Sequence, residues 1–155
     1  MKKMVRDLWI NQAAILELYH HQIDPVCEKY KLNRIEFGIM MFLSKHPELN
    51  RAADIVKYKG LSKSYVSLSV KALSERGLLE GTKTENDRKN IYLSLLPDAA
   101  PIIEEGTAAQ KNFCAIMYEG LSEEELEQIV SLSKHVSDNV KSANAKYKSN
   151  AKKSV

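Results

Sequence analysis

The sequence predicts a mainly α-helical protein that contains one β-hairpin. Apolar residues recur at helical spacing over most of the 155 residues, and capping residues and glycines divide that pattern into separate helices. Near residue 90 the pattern changes to the strict alternation of a strand. With 44% apolar and 28% charged residues, the composition is that of one compact globular unit.

Net charge, apolar runs and motif spacing limit the classes of function that the sequence allows. A net charge of +3, from 23 Lys and Arg against 20 Asp and Glu, permits an anionic partner without requiring one. The opening segment MKKMVRDLW is not followed by the apolar run of a signal peptide or a membrane span, so we expect a cytoplasmic protein. No nucleophile is paired with a base, and no phosphate loop or metal-ligand spacing occurs, so we expect neither an enzyme nor a bound cofactor or metal.

The first helix is predicted over residues 5–30, with a kink or an end near Asp24 and Pro25 because proline lacks a donor and disfavours a helical residue before it. A second helix begins at Asn33, which forms a capping box with Glu36. A third follows a predicted cap at Asn50 and ends at Gly60.

A fourth helix begins after Ser62 and ends at Gly77, so it follows the third across a tight glycine-containing turn. This is the helix-turn-helix arrangement, whose second helix commonly lies in the DNA major groove. The strand-like segments LLEGTK and NIYLSL, joined by ENDR, then predict a β-hairpin. Together these elements make residues 33–96 a winged helix-turn-helix domain.

The fourth helix has a face suited to a DNA groove. On a helical wheel Val66, Val70 and Leu73 point to the core, and the opposite face carries short hydroxyl side chains and lysines. Small residues permit close approach, hydroxyls bond phosphates or base edges, and lysines neutralise phosphate. A solvated surface would explain such a face in isolation, but the preceding turn and the following hairpin favour DNA contact. The predicted contacts are Lys63, Ser64, Tyr65, Ser67, Leu68 and Lys71.

The hairpin tip carries a second candidate site. Arg88 and Lys89 lie at the far end of the two strands, where one of them could enter the minor groove, and Asp87 could orient that cation. D-R-K in a turn is also common surface chemistry. Which of the two cations reaches the groove stays open.

The C-terminal third returns to helix. Asp98 is a predicted cap for the first of its helices, and Gly106 lies inside that helix. Ser122 and Glu125 form a predicted capping box for the last helix, which carries an apolar stripe. We expect helices over residues 97–142 and a frayed basic tail over residues 143–155.

The segment LSKSYVSLSVKALSERGLLEGTKTENDRKNIYLSL resembles the DNA-binding core of the MarR family (multiple antibiotic resistance regulators). Members typically show L-S-x-S-x-V-S, then L-x-x-x-G-L, then a wing with D-x-R or D-R-R. The resemblance implies a sequence-specific regulator of transcription, a repressor released by a small ligand, that binds a palindromic operator in double-stranded DNA as a homodimer. This chain departs from the pattern in having Leu68 where many members have a basic residue and Lys89 where they have arginine.

The terminal helices independently favour a dimer. They flank a winged-helix module that could close its own core, and their apolar residues need something to pack against. Packing within one chain is the alternative. We expect residues 1–32 and 97–142 to form a homodimerisation layer, with the interface residues Leu8, Trp9, Leu16, Leu126, Ile129 and Val136.

The resemblance further implies a small aromatic or phenolic ligand in a crevice beside the dimer layer. The candidate walls are Trp9, Tyr19, His20, Phe37 and Met41, although residues of these types at helical spacing are more often core. Some members sense oxidants through an N-terminal cysteine, and Cys27 is the candidate here. An alternative function is a winged-helix dimer that contacts an acidic protein and binds no operator.

Overall fold

The computed structural model describes the backbone of residues 2–84 and 87–153 and the side chains of residues 11–83 and 90–147. The described chain is mainly α-helical with one antiparallel hairpin, as the sequence predicts. It divides into two compact units, residues 1–115 and residues 116–155. The elements are α1 (Lys2–Lys29), α2 (Arg34–Lys45), α3 (Ala52–Lys59), α4 (Lys63–Glu75), β1 (Leu79–Thr84), β2 (Asp87–Leu95), α5 (Ala100–Met117) and α6 (Glu123–Lys153).

The first helix follows its predicted span closely, and of the two alternatives predicted at Pro25, an end of the helix is wrong. It continues through Pro25 to Lys29 without ending. Proline removes one backbone donor, but Ile23, Val26 and Cys27 around it are buried against α2. Burying one such side chain contributes about 1.5–3 kcal/mol, which offsets the lost hydrogen bond. The second half of α1 therefore belongs to the core of the first unit.

The capping prediction for α2 is confirmed, and that for α3 is wrong by one residue. The Asn33 side chain accepts from the N–H groups of Ile35 and Glu36, both at 2.9 Å. In α3 the N-cap is Arg51 rather than Asn50. The carbonyl of Asn50 instead accepts from the N–H of Leu93 at 2.8 Å, so its backbone joins the hairpin.

The hairpin packs on the helix-turn-helix. β1 and β2 pair in register from Leu79 opposite Leu95 to Thr82 opposite Tyr92, and an isolated bridge joins Tyr92 to Arg51. The main core lies between α2, α3, α4 and this sheet, and its fully buried members include Ile39, Met40, Ile55, Val66, Leu73 and Leu79.

The helix α5 is continuous through Gly106, which is buried against α2. The predicted cap Asp98 lies instead within a 3₁₀ turn over Pro97–Ala99 that leads into the helix. Pro101 falls in the first turn of α5, where a missing N–H costs no hydrogen bond.

The second unit consists mainly of α6. Its predicted capping box is confirmed: the Ser122 N–H donates to Glu125 Oε2 at 2.8 Å, and the Glu125 N–H donates to Ser122 Oγ at 3.3 Å. The helix continues to Lys153, past the residue where the frayed tail was expected. Residues 143–153 contain alanines and lysines but no glycine or proline, so nothing in the sequence terminates the helix. Within the described ranges, no helix combines the length and the apolar composition needed to cross a membrane.

Candidate nucleic-acid interface

The turn between α3 and α4 is built as the sequence predicts. Gly60 adopts a left-handed φ of 65° at the end of α3, and Ser62 Oγ accepts from the N–H of Tyr65 at 3.2 Å at the start of α4. On the inner face of α4, Val66 and Leu73 are fully buried. Ser69 is buried as well, a position that the wheel did not single out.

The outer face of α4 presents every residue of this helix that was predicted to contact DNA. Tyr65 is 59% exposed and Leu68 is 66% exposed, although both are large and largely apolar. The Lys71 ammonium lies 3.8 Å from the Glu75 carboxylate in an exposed ion pair, which screening by solvent makes weak. The complete exposed set is Lys63, Ser64, Tyr65, Ser67, Leu68 and Lys71.

The wing provides a rigid base for its tip. Leu93 of β2 is buried in the core, and the N–H of Leu96 donates to the carbonyl of Leu78 at 3.0 Å, which closes the sheet behind α4. The backbone of Asp87, Arg88 and Lys89 lies in β2. Their side chains lie outside the described residues.

An apolar cleft separates the wing from the helix-turn-helix. Its volume is about 450 Å³, and Lys63 and Ser67 of α4 are the polar side chains among its lining residues. Ala52 and Ala53 at the start of α3 leave this space because they have short side chains. The cleft was not predicted, since it forms only where β2 packs beside α3 and α4.

The residues predicted to form a dimer interface are apolar, and those whose side chains are described are exposed or half-buried. In the first unit Leu16 is 53% exposed on α1. In the second unit Ile129 and Val136 of α6 are exposed, Val136 to 62%, and Leu126 is half-buried. The side chains of Leu8 and Trp9 lie outside the described residues.

A smaller cavity of about 170 Å³ lies between α1, α2, α5 and the end of α3. Of the predicted ligand walls, Tyr19 and Met41 line it. Phe37 is fully buried in the core instead, and His20 is not among the lining residues. Trp9, the remaining predicted wall, has no described side chain.

The chemistry of this cavity is cationic, which the sequence did not predict. Lys45 Nζ donates to Gln110 Oε1, and Gln110 Nε2 donates to Tyr19 Oη at 2.8 Å. Lys59 also lines the cavity, and its ammonium end lies against Gly38 of α2. Burial lowers the pKa of Lys59, and the nearby charge of Lys45 lowers it further.

Neither lysine has an acidic partner among the described side chains, and none of the lining residues is a carboxylate. Two like charges that share a cavity repel each other, so an anion placed between them would be stabilised. The lining residues are Tyr19, Gly38, Met41, Phe42, Lys45, His46, Lys59 and Gln110.

The environment of Cys27 disfavours reactivity. The thiol is buried, and that burial raises its pKa, with the Asp24 carboxylate raising it further. A raised pKa reduces the thiolate fraction, which is the form that oxidants attack. Asp24 itself is engaged by Arg34, whose Nε and Nη2 donate to its two carboxylate oxygens at 2.7 and 2.6 Å.

Comparison with known families finds a match to the middle of the chain. A model of the MarR family matches residues 30–89, which run from the end of α1 to the start of β2. The matched segment contains the complete helix-turn-helix, including every predicted contact on α4.

Comparison with solved structures supports the same fold over most of the chain. A putative MarR family transcriptional regulator from Listeria monocytogenes, complexed with 26mer DNA, is 17% identical with a TM-score of 0.75, and the match covers 90% of each chain. Staphylococcus aureus MarR, in complex with salicylate and kanamycin, is 15% identical with a TM-score of 0.72, covering 89% of this chain and 93% of that one.

Bordetella bronchiseptica BpsR, whose DNA binding is regulated by 6-hydroxynicotinic acid, is 20% identical with a TM-score of 0.66, covering 84% of this chain and 98% of that one.

Proposed function

We propose that this chain, which carries the MarR-family winged helix-turn-helix in residues 30–89, is a transcriptional regulator that binds double-stranded DNA as a homodimer. The observation that carries the proposal is the outer face of α4, where serines and lysines lie exposed on the second helix of a helix-turn-helix with a wing behind it. The proposed function is binding rather than catalysis, and its proposed location is the cytoplasm.

The two kinds of side chain on α4 suit two kinds of DNA contact. Lys63 and Lys71 can neutralise phosphates, which gives affinity for any duplex and a steep dependence on salt. Ser67 and Leu68 are short or apolar enough to meet base edges, and Leu68 offers contact to a thymine methyl group. Sequence preference would therefore arise from the middle of the exposed face.

The homodimer follows from the symmetry of DNA recognition. A dimer of helix-turn-helix proteins reads two half-sites about one helical turn apart, so its operator is palindromic. The exposed apolar residues of α1 and α6 are the proposed contacts between the chains, because water-exposed Leu, Ile and Val in a row mark an association surface.

Operator binding is tested by fluorescence anisotropy against duplexes that tile the DNA upstream of the gene, each with a scrambled control, at two salt concentrations. We expect tight, salt-dependent binding to one palindromic tile with two chains per site. Equal and weak binding to every tile would contradict operator recognition and favour the alternative, a dimer that contacts an acidic protein.

We further propose that the cavity beside Lys45 and Lys59 binds a small aromatic acid and that binding releases DNA, which makes the protein a repressor. The two lysines suit a carboxylate, while Met41 and Phe42 suit a ring. The volume of about 170 Å³ fits a molecule smaller than a typical drug. Salicylate and 6-hydroxynicotinic acid, named with two structurally similar proteins, are both aromatic acids of this size class.

The ligand proposal is tested by titrating salicylate and 6-hydroxynicotinic acid into the preformed complex with DNA. Lys59→Met should weaken the response to ligand about tenfold, as expected for losing one charge-assisted hydrogen bond. Lys57→Met is the matched control, since Lys57 lies in the same helix but does not line the cavity. Equal responses from both variants would place the ligand elsewhere.

A further inference from the structure

The guanidinium of Arg76 joins the end of α4 to the end of α1. Nη2 donates to the carbonyl oxygen of Tyr30 at 2.6 Å, and Nη1 donates to that of Lys31 at 3.0 Å. Arg76 follows the last residue of α4, and Tyr30 and Lys31 directly follow α1. One planar side chain therefore holds two successive carbonyl groups of another helix terminus.

The turn that Arg76 holds is a strained one. The N–H of Leu32 donates to the carbonyl of Cys27 at 2.8 Å, which is the backbone motif that commonly ends a helix. The left-handed residue of such a motif is usually glycine, as Gly77 is at the end of α4, but after α1 it is Lys31, with a φ of 50°. A side chain in this conformation costs about 1–2 kcal/mol, and the two bonds from Arg76 help to offset that cost.

Arginine is the side chain that suits this position. The carbonyl groups at a helix C-terminus lack partners within the helix and carry the negative end of its dipole, so a cation there is favourable. Its planar fork reaches two acceptors at once, which an ammonium group does not do in a fixed direction.

The same end of α1 is also fixed to α5. The hydroxyl of Tyr30 donates to Glu105 Oε1 at 2.8 Å, and the Lys29 ammonium lies 2.5 Å from the same oxygen. The terminus of α1 thus has α5 on one side and α4 on the other. A change in the angle between α1 and α4 would strain the two bonds from Arg76, which join these elements.

Resting on the proposed function, we propose that Arg76 is a positioning residue that sets the angle of α4 relative to α1 and thereby the spacing of half-sites that the dimer accepts. The exposed Ile15 and Leu16 make α1 a candidate dimer element, so the joint between α1 and α4 contributes to the separation of the two recognition helices. One inserted base pair moves a half-site by about 3.4 Å and about 35°, which a rigid joint rejects.

The test measures binding to operator duplexes in which the half-sites carry the native spacing, one base pair more or one base pair fewer. Wild-type protein should prefer the native spacing about tenfold or more. Arg76→Gln should reduce that preference at least about threefold, because the altered spacings become easier to reach, and Arg76→Lys should give an intermediate value. Arg34→Gln is the control, since it also removes two hydrogen bonds that a guanidinium group makes to α1, here from α2 to the Asp24 carboxylate.

The outcomes separate this inference from the proposed function. If Arg76→Gln keeps the wild-type spacing preference, even with lower affinity or a lower melting temperature, its role is structural only and the inference is overturned. The inference is also overturned if the wild-type protein prefers operator over scrambled DNA but binds all three half-site spacings equally well. Failure to prefer operator over scrambled DNA defeats the proposed function itself. If circular dichroism shows that Arg76→Gln is unfolded, Arg76→Lys is used instead, and the inference is overturned if that variant keeps the wild-type spacing preference.

Discussion

Replacing Gly106 with alanine should destabilise the protein, although alanine is the better helix former. A Cβ built on Gly106 would lie 2.7 Å from Met41 Sδ and 2.8 Å from Phe37 Cε2. Carbon and sulfur atoms in contact are normally separated by well over 3 Å. The helix α5 approaches α2 this closely only because position 106 lacks a side chain.

Two effects of opposite sign decide how much Gly106→Ala changes the free energy of unfolding. Glycine to alanine inside a helix gains about 1 kcal/mol of helix propensity. Overpacking a filled core costs about 1–3 kcal/mol, and the upper half of that range applies because the added Cβ meets two atoms of the fully buried Phe37 ring as well as Met41 Sδ, all at 3.0 Å or less. The net loss is then about 1–2 kcal/mol, which lowers the melting temperature by about 2–8 °C in a chain of this size.

The matched control is Gly38→Ala in α2. A Cβ there meets Cε and Nζ of Lys59 at 3.3 Å, the flexible end of a long side chain that can move aside. Helix propensity should then dominate and raise the melting temperature by about 2–4 °C. Thermal unfolding, followed by circular dichroism at a fixed protein concentration, measures the melting temperatures of both variants. A melting temperature of Gly106→Ala that rises as much as that of Gly38→Ala would refute the reasoning.

Three further predictions concern the cap of α3, the DNA contacts and the dimer. Hydrogen bonds from Arg51 hold the pKa of Asp54 below its ordinary value. The stability that this carboxylate contributes is therefore full above the unfolded pKa and lost as pH falls through the folded pKa, so Asp54→Asn should cost about 1–2 kcal/mol in urea unfolding at pH 7 and progressively less as the pH is lowered through the folded pKa. Lys71→Ala should weaken binding to all duplexes and reduce the salt slope by about 1, whereas Leu68→Ala should change the preference between duplexes. Val136→Glu should convert the dimer to a monomer in sedimentation equilibrium, because it places a charge in the exposed apolar row of α6.

Controls for these predictions come from the same elements. Lys134→Gln changes the charge by the same amount on the opposite face of α6, and it should leave the dimer intact; a monomer from this variant would show that the row of apolar residues is not the interface. An equal loss of affinity of Leu68→Ala for every duplex would remove its role in base recognition. A pH-independent cost of Asp54→Asn would contradict the linkage argument.

The helix boundaries were predictable where a local signal sets them. Asn33 with Glu36 and Ser122 with Glu125 are capping boxes within four residues of chain, so the sequence contains both partners. A helix end at Pro25 and a cap at Asn50 were wrong predictions because long-range interactions override the local signal there. Burial of α1 against α2 acts in the first case, and a bond from Asn50 to the hairpin acts in the second.

One part of the candidate site was predictable from local sequence and another part was not. The outer face of α4 follows from helical periodicity alone, because a residue such as Leu68 is exposed wherever Val66 and Leu73 are buried. The cationic cavity could not be predicted, since it depends on Lys45 and Lys59 meeting from two helices, at a distance that no spacing in the sequence encodes.

Gly38 and Gly106, the two glycines inside the described helices, bring α5 and the end of α3 close to α2. Gly106 lets α5 lie directly on α2, and Gly38 leaves the surface on which the end of Lys59 rests. Lys59 is the last residue of α3, and Gly60 after it begins the turn into α4. An anion held between Lys45 and Lys59 would therefore pull on the end of α3 rather than on a distant loop, and the force would reach the recognition helix through a single turn. A Gly38 substitution that displaces Lys59 without unfolding α2 should alter the response to ligand while leaving the exposed face of α4 unchanged.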